Sequence, residues 1–204
     1  MHLKRFSPLL LLSGDHCFLD TTDECYYMGS YTCCHRPTYK PLVLSVKRGY
    51  KPAIRHASKE LLYNLPQSWL CRYTVVPMPS SLRSDNHMMQ VASELGAADT
   101  RELLLQRSDT LSSHGGWRPS PDVRSSLLYV NELVARPRPC TVLILDDVIT
   151  TGSHFRAAKR VLRARWPDIR VVGLFLSRAC PRDAQRCWSG KFCDGTPIAQ
   201  LAEC

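Results

Sequence analysis

Short apolar runs and amphipathic stretches alternate along the middle of the chain. The aromatic and Thr-rich segment Tyr26–Thr32 reads as a strand or hairpin. Leu42–Val46 is a short apolar segment that runs into Lys47-Arg48-Gly49-Tyr50, which reads as a turn. Pro52 can open a helix at its first turn. Ile54, Ala57, Leu61 and Leu62 then recur at helical spacing over Ala53–Leu65, and Pro66 ends the helix. The β-branched run Tyr73–Val76 is stopped by Pro77-Met78-Pro79-Ser80. Asn86–Leu95 has helical spacing, with Met89, Ala92 and Leu95 on one side and Gly96 closing it. Leu103–Leu105 is a short apolar run. A long polar loop with Gly115-Gly116 inside follows over residues 107–121. Pro121-Asp122 opens a helix expected to continue through Leu127, Leu128, Val130 and Leu133. Thr141–Leu145 is continuously β-type, as in a strand buried on both faces. A helix over Ser153–Arg165 and a further buried strand over Arg170–Leu176 close the pattern.

Strands alternating with helices of this length predict an α/β fold, a mostly parallel sheet with helices on both faces. Ligands of such sheets bind beyond the carboxyl ends of the strands. The turns after Val76, Leu105 and Leu145 are therefore the places to look for chemistry. Residues 1–40 are irregular and read as an N-terminal appendage to a main domain over 41–204.

Composition narrows this little. The chain has 204 residues, 44% hydrophobic and 22% charged, which is ordinary globular usage and excludes wholesale disorder. No apolar run approaches the roughly 18 residues a membrane span needs. The Leu9–Leu12 run is too short for a secretory core, so a cytoplasmic protein with no membrane partner is expected. A net charge of +9 favours an anionic ligand, phosphorylated small molecule or nucleic acid, without choosing one. The ten cysteines show no C-x-x-C knuckle. Reduced, mostly buried thiols are the expectation and no protein-held metal is assigned, although Cys17, Cys25, Cys33, Cys34 and His35 remain a zinc alternative.

The turn after Leu145 is the most informative stretch. Two carboxylates, Asp146 and Asp147, stand where a buried strand ends, and Val148-Ile149 lead into Thr150-Thr151-Gly152-Ser153-His154, which opens a helix. Backbone N–H groups at a helix N-terminus, with hydroxyls beside them, cradle phosphate. Gly152 lets the backbone approach an anion closely. The two acids can accept hydrogen bonds from sugar hydroxyls or help hold a cation bound to the sugar.

This stretch resembles the 5-phosphoribosyl-1-pyrophosphate (PRPP) loop of type I phosphoribosyltransferases: four apolar residues, two acids, two apolar residues, then Thr-Thr-Gly. The match departs at His154, where the family has Ser or Thr. The resemblance implies a Rossmann-like phosphoribosyltransferase core over roughly 42–178, with residues 1–40 as a small irregular hood. It implies that Asp146 and Asp147 bind the ribose hydroxyls, that Val148 and Ile149 pack under the ribose, and that Thr150, Thr151, Gly152 and Ser153, with His154 as a further donor, hold the 5-phosphate. Pro77, Met78, Pro79 and Ser80, with Arg83, resemble the pyrophosphate loop of the competence-protein-F-like branch, and Lys47-Arg48-Gly49 resembles the basic segment before that branch's first core helix. Residues 107–121 fall where the family has its mobile flap, with Arg107 and Arg118 as candidate pyrophosphate ligands.

The resemblance implies a transferase that binds PRPP with Mg2+ and an unidentified nitrogen acceptor, and a homo-oligomer is the expected assembly. The alternative is a non-catalytic, PRPP-sensing or accessory protein that contacts nucleic acid, which no nucleic-acid motif supports. Arg156, Lys159, Arg160, Arg163 and Arg165 on the last helix read as a solvated face, opposite a buried stripe of Phe155, Ala158, Val161 and Leu162.

Overall fold

The computed structural model describes residues 23–31, 39–80, 86–107 and 121–179. Arg83 and Arg118, most of the expected hood, nearly all of the loop over 107–121 and the cysteines other than Cys25, Cys71 and Cys140 lie outside the described residues.

Four parallel strands form the main sheet, in the order β1 (Cys25–Ser30), β6 (Arg170–Arg178), β5 (Thr141–Ile149) and β2 (Thr74–Pro77). The expected mixed α/β architecture with a parallel sheet is therefore present. Strand β1 falls within the expected 1–40 appendage, yet it is an edge strand of this sheet, in register from Cys25 opposite Gly173 to Ser30 opposite Arg178.

Period-two alternation sends the side chains of the central strands to two separate cores. On one side, Val142 and Ile144 of β5 and Val171 and Phe175 of β6 pack with Phe155, Ala158 and Leu162 of helix α6 (Ser153–Arg165). On the other, Leu143 and Leu145 with Val172, Leu174 and Leu176 pack against helices α1 (Lys40–Lys47), α2 (Lys51–Asn64) and α4 (His87–Glu94). Helix α2 has Pro52 in its first turn and ends at Leu65, whose extended backbone (φ −80°, ψ 140°) is what the following Pro66 enforces. Asn86 caps α4 by accepting a hydrogen bond from the Met89 amide at 3.1 Å. The buried face of α4 is Met88, Val91 and Ala92, with Met89 only partly covered, a small rotation from the expected stripe.

The structure adds two local elements and corrects a third reading. Leu42–Val46 belongs to a helix, α1, which buries Val43 and Val46 one turn apart. A short helix α3 (Gln67–Arg72) stands between Pro66 and β2, where no element was expected. The helix expected from Pro121 to Leu133 stops at Leu127: after α5 (Pro121–Leu127) the chain becomes strand β4 (Leu128–Val130), antiparallel to β3 (Leu104–Gln106) in a separate two-stranded ribbon. Leu133 is 95% exposed, which excludes it from any buried helical stripe.

The charged face of α6 is also not uniformly solvated. Lys159 is buried and paired with Asp23, which also meets Arg156 Nε at 3.5 Å. Arg160, Arg163 and Arg165 are exposed, as expected. Of the three described cysteines, Cys25 is buried while Cys71 and Cys140 are exposed, so burial of the thiols is not general. Among the described residues no helix is long and apolar enough to cross a membrane.

Candidate functional site

Strand β5 is longer than its apolar run. It continues through Asp146 and Asp147 to Ile149, so both acids are sheet residues, partly buried at the carboxyl end of the sheet. Asp146 pairs across to Phe175, and Val148 to Ser177. The Asp147 amide donates to Asp146 Oδ1 at 2.8 Å, and the Ser177 hydroxyl donates to the Asp147 carbonyl at 3.4 Å. These contacts brace the backbone that presents the two carboxylates. Val148 joins the helix α1–α4 core and Ile149 is buried in the opposite one, so both anchor the strand end.

Residues 150–152 then turn sharply. Gly152 sits in the left-handed region at φ 75°, ψ 5°, a conformation a side chain would strain, and it caps α6 without a side-chain hydrogen bond to the first turn. The opening amides of a 13-residue helix are thus left without a side-chain acceptor from the cap, at its positive end. Thr151 Oγ1 lies 3.3 Å from the buried Ser153 Oγ, placing two hydroxyls at this turn. Thr150 and His154 are exposed beside it.

The loop after β2 lies alongside. The Met78 amide donates to the Leu145 carbonyl at 2.8 Å, extending the β2–β5 pairing. Pro77 and Met78 are buried, while Pro79 and Ser80 are partly exposed next to the acid-bearing strand end. Arg107, in contrast, is exposed at the end of the β3–β4 ribbon, its amide donating to the Leu127 carbonyl at 2.9 Å. The structure thus brings together residues 77–80 and 146–154, and holds Arg107 on a different element.

Two features of this edge are not among the sequence-derived site residues. Lys47, on the last turn of α1, reaches the site with its Nζ 3.1 Å from Asp147 Oδ2. Burial lowers the proton affinity of this ammonium, but the Asp147 carboxylate, through charge and a direct hydrogen bond, and Asp146 behind it, hold it above the usual lysine range. Arg178 ends β6 at the same edge, with its guanidinium carbon 5.9 Å from the centre of the Tyr27 ring and a buried Nε that has no partner among the described residues. The basic pattern Lys47-Arg48-Gly49 was the available signal for the first. Nothing local in the sequence marks the second.

The two acids do not by themselves form a resident cation site. Asp146 Oδ1 holds an amide, Asp147 Oδ2 holds Lys47, and the described residues contain no group of three or more His, Cys, Asp or Glu side chains arranged around a metal position. Two carboxylates fit a hard cation that arrives with oxygen ligands of its own, as magnesium does on a phosphorylated sugar. A cleft of about 620 Å³ lies beside the α1–α2 turn, lined by Ser45, Arg48, Gly49, Tyr50, Lys51 and Pro52. It contains no carboxylate, so the strand edge carries the richer chemistry.

No protein-family model matches the chain, and no curated protein matches it.

Proposed function

We propose that the chain binds PRPP with Mg2+ at the carboxyl end of β5 and transfers phosphoribose to or from a nitrogen acceptor. One observation carries the reading: two adjacent carboxylates near the carboxyl end of a buried parallel strand lead, within five residues, to a left-handed glycine that caps the start of a 13-residue helix without a side chain. That arrangement offers acceptors for ribose hydroxyls and donors for a phosphate at neighbouring positions.

In this reading Asp146 and Asp147 orient the ribose through its hydroxyls. The amides at the start of α6 and the hydroxyls of Thr151 and Ser153 hold the 5-phosphate. The backbone after Pro77 faces the leaving pyrophosphate. The acceptor nitrogen forms a bond to the anomeric carbon as the carbon–oxygen bond to pyrophosphate breaks, and pyrophosphate leaves with the electron pair. Holding the sugar at both ends supplies most of what the protein must do, because orientation and charge neutralisation dominate such transfers. Magnesium, when bound with the ligand, neutralises charge on the leaving group.

A second reading, a PRPP-sensing protein without turnover, is favoured by His154, exposed where the family has a hydroxyl. Calorimetry with PRPP and Mg2+, followed by pyrophosphate release with a panel of nucleobases, separates the two. Binding with turnover supports the transferase, binding without turnover the sensor, and no binding overturns both.

A further inference from the structure

Lys47 is the last residue of α1 and is followed directly by the turn at Arg48-Gly49. Gly49 lies at φ 71°, and a Cβ there would stand 3.1 Å from His87 Cε1, so the turn is seated closely against the start of α4. The Lys47 side chain leaves the last turn of α1 beside this turn. Its Nζ contacts Asp147 Oδ2 at 3.1 Å and lies within the field of Asp146. The pair of acids therefore presents its charge already partly balanced by the chain itself.

We propose that Lys47 is a built-in counter-cation of the Asp146–Asp147 pair: it positions the Asp147 carboxylate and keeps free divalent cations off the pair, so that a cation enters only together with the ligand. The second half of this inference rests on the phosphoribosyl reading of the site. An ammonium at one carboxylate both removes an oxygen from a prospective metal shell and repels a second cation. The contact is also easily opened. The Lys47 side chain is 52% exposed, and half-exposed ion pairs of this kind hold weakly against a competing charge. A pyrophosphate brings that competing charge, and the flexible lysine stem can follow it while the carboxylate turns to the sugar.

The test is a Mn2+ titration of the ligand-free protein, read by electron paramagnetic resonance, with far-UV circular dichroism to check each fold. Lys47→Met should bind Mn2+ about ten-fold more tightly than the unaltered protein. Lys47→Arg should behave like the unaltered protein, and Lys47→Met combined with Asp147→Asn should lose the gain. Lys47→Gln serves if Lys47→Met does not fold. A Lys47→Met or Lys47→Gln protein that folds and binds Mn2+ no better than the unaltered chain overturns the proposal. Calorimetry with PRPP on the unaltered chain tests the underlying reading separately. A Mn2+ gain without any PRPP binding upholds the counter-cation and rejects the phosphoribosyl site. PRPP binding with no Mn2+ gain does the reverse.

Discussion

Asp23 and Lys159 are 136 positions apart in sequence and form an ion pair that is almost wholly out of solvent, with side chains 1% and 9% exposed. Asp23 lies two residues before β1 and Lys159 in the middle of α6, so the pair ties the edge strand to the helix that follows the Gly152 turn. Removing Lys159 takes the closer of two cations from the buried Asp23 carboxylate and leaves the longer contact to the partly exposed Arg156. Lys159→Met is therefore expected to destabilise the fold by about 3–5 kcal/mol in urea denaturation. Asp23→Leu combined with Lys159→Met should recover most of that loss, because the desolvation penalty vanishes with the second charge. A double variant as unstable as the single one would refute the account.

Gly173 of β6 stands where there is no room for a side chain. A Cβ at this position would stand 2.7 Å from Phe175 Cε2, 2.9 Å from Cys25 Sγ and 3.0 Å from Phe155 Cδ2. Phe155 and Phe175 are both buried and meet edge to face with ring centres 6.2 Å apart. Gly173→Ala is expected to lower stability by about 1–3 kcal/mol through overpacking, despite alanine's better backbone entropy. Thermal unfolding checks the sign, and a stabilised variant would show that the pocket yields.

At the strand end, Asp146→Asn with Asp147→Asn should weaken PRPP binding by about 1.5–3 kcal/mol for each lost charge-assisted hydrogen bond, with the fold intact. Gly152→Val should abolish ribose 5-phosphate binding, since φ 75° is strained for any side chain and a branched one would crowd the anion. Calorimetry on folded variants decides both. Unchanged affinity in the double Asp variant would remove the ribose assignment.

Alkaline pH should destabilise the protein through Cys25. Burial first, then the Asp23 carboxylate, push this thiol far above its ordinary value of 9.0. Tyr26 is pushed up to about 12 by burial and by Glu24. In both, the folded state retains a proton that the unfolded chain releases, so stability is fully present below the unfolded values and declines above them. Cys25 alone predicts a fall of up to about 1.4 kcal/mol per pH unit, beginning near pH 9. Urea denaturation at pH 8 and pH 10 measures the slope. Peptide mapping after brief alkylation at pH 8 should find exposed Cys71 and Cys140 modified and Cys25 intact.

The parts legible in the sequence are those whose cause is local. Strands β5 and β6 show unbroken β-type runs, α6 has an apolar stripe at helical spacing, and Asn86 and Pro66 mark helix ends by their own backbone chemistry. The acid pair, the glycine turn and the helix start are consecutive in the chain, so the heart of the candidate site is legible as well. Leu42–Val46 is not, because a five-residue segment with four apolar residues suits a strand or a helix equally and only Val43 and Val46 are fully buried. The change from α5 to β4 is imposed by pairing with β3, from Gln106 opposite Leu128 to Leu104 opposite Val130, a partnership 22 to 26 residues away that no local window contains. Lys47 meets Asp147, and Asp23 meets Lys159, for the same non-local reason.

The placement of β1 has a consequence for how the chain is made. Its register runs against β6, from Cys25 opposite Gly173 onward, so the first described strand has no sheet to join until nearly the whole core has been synthesised. Until then the edge of β6 does not exist. A nascent chain halted before residue 170 would therefore hold the strand Cys25–Ser30 without its partner strand. The closure that joins the first strand to the last therefore spans almost the whole described chain, and its entropic cost is met only once β6 has been made.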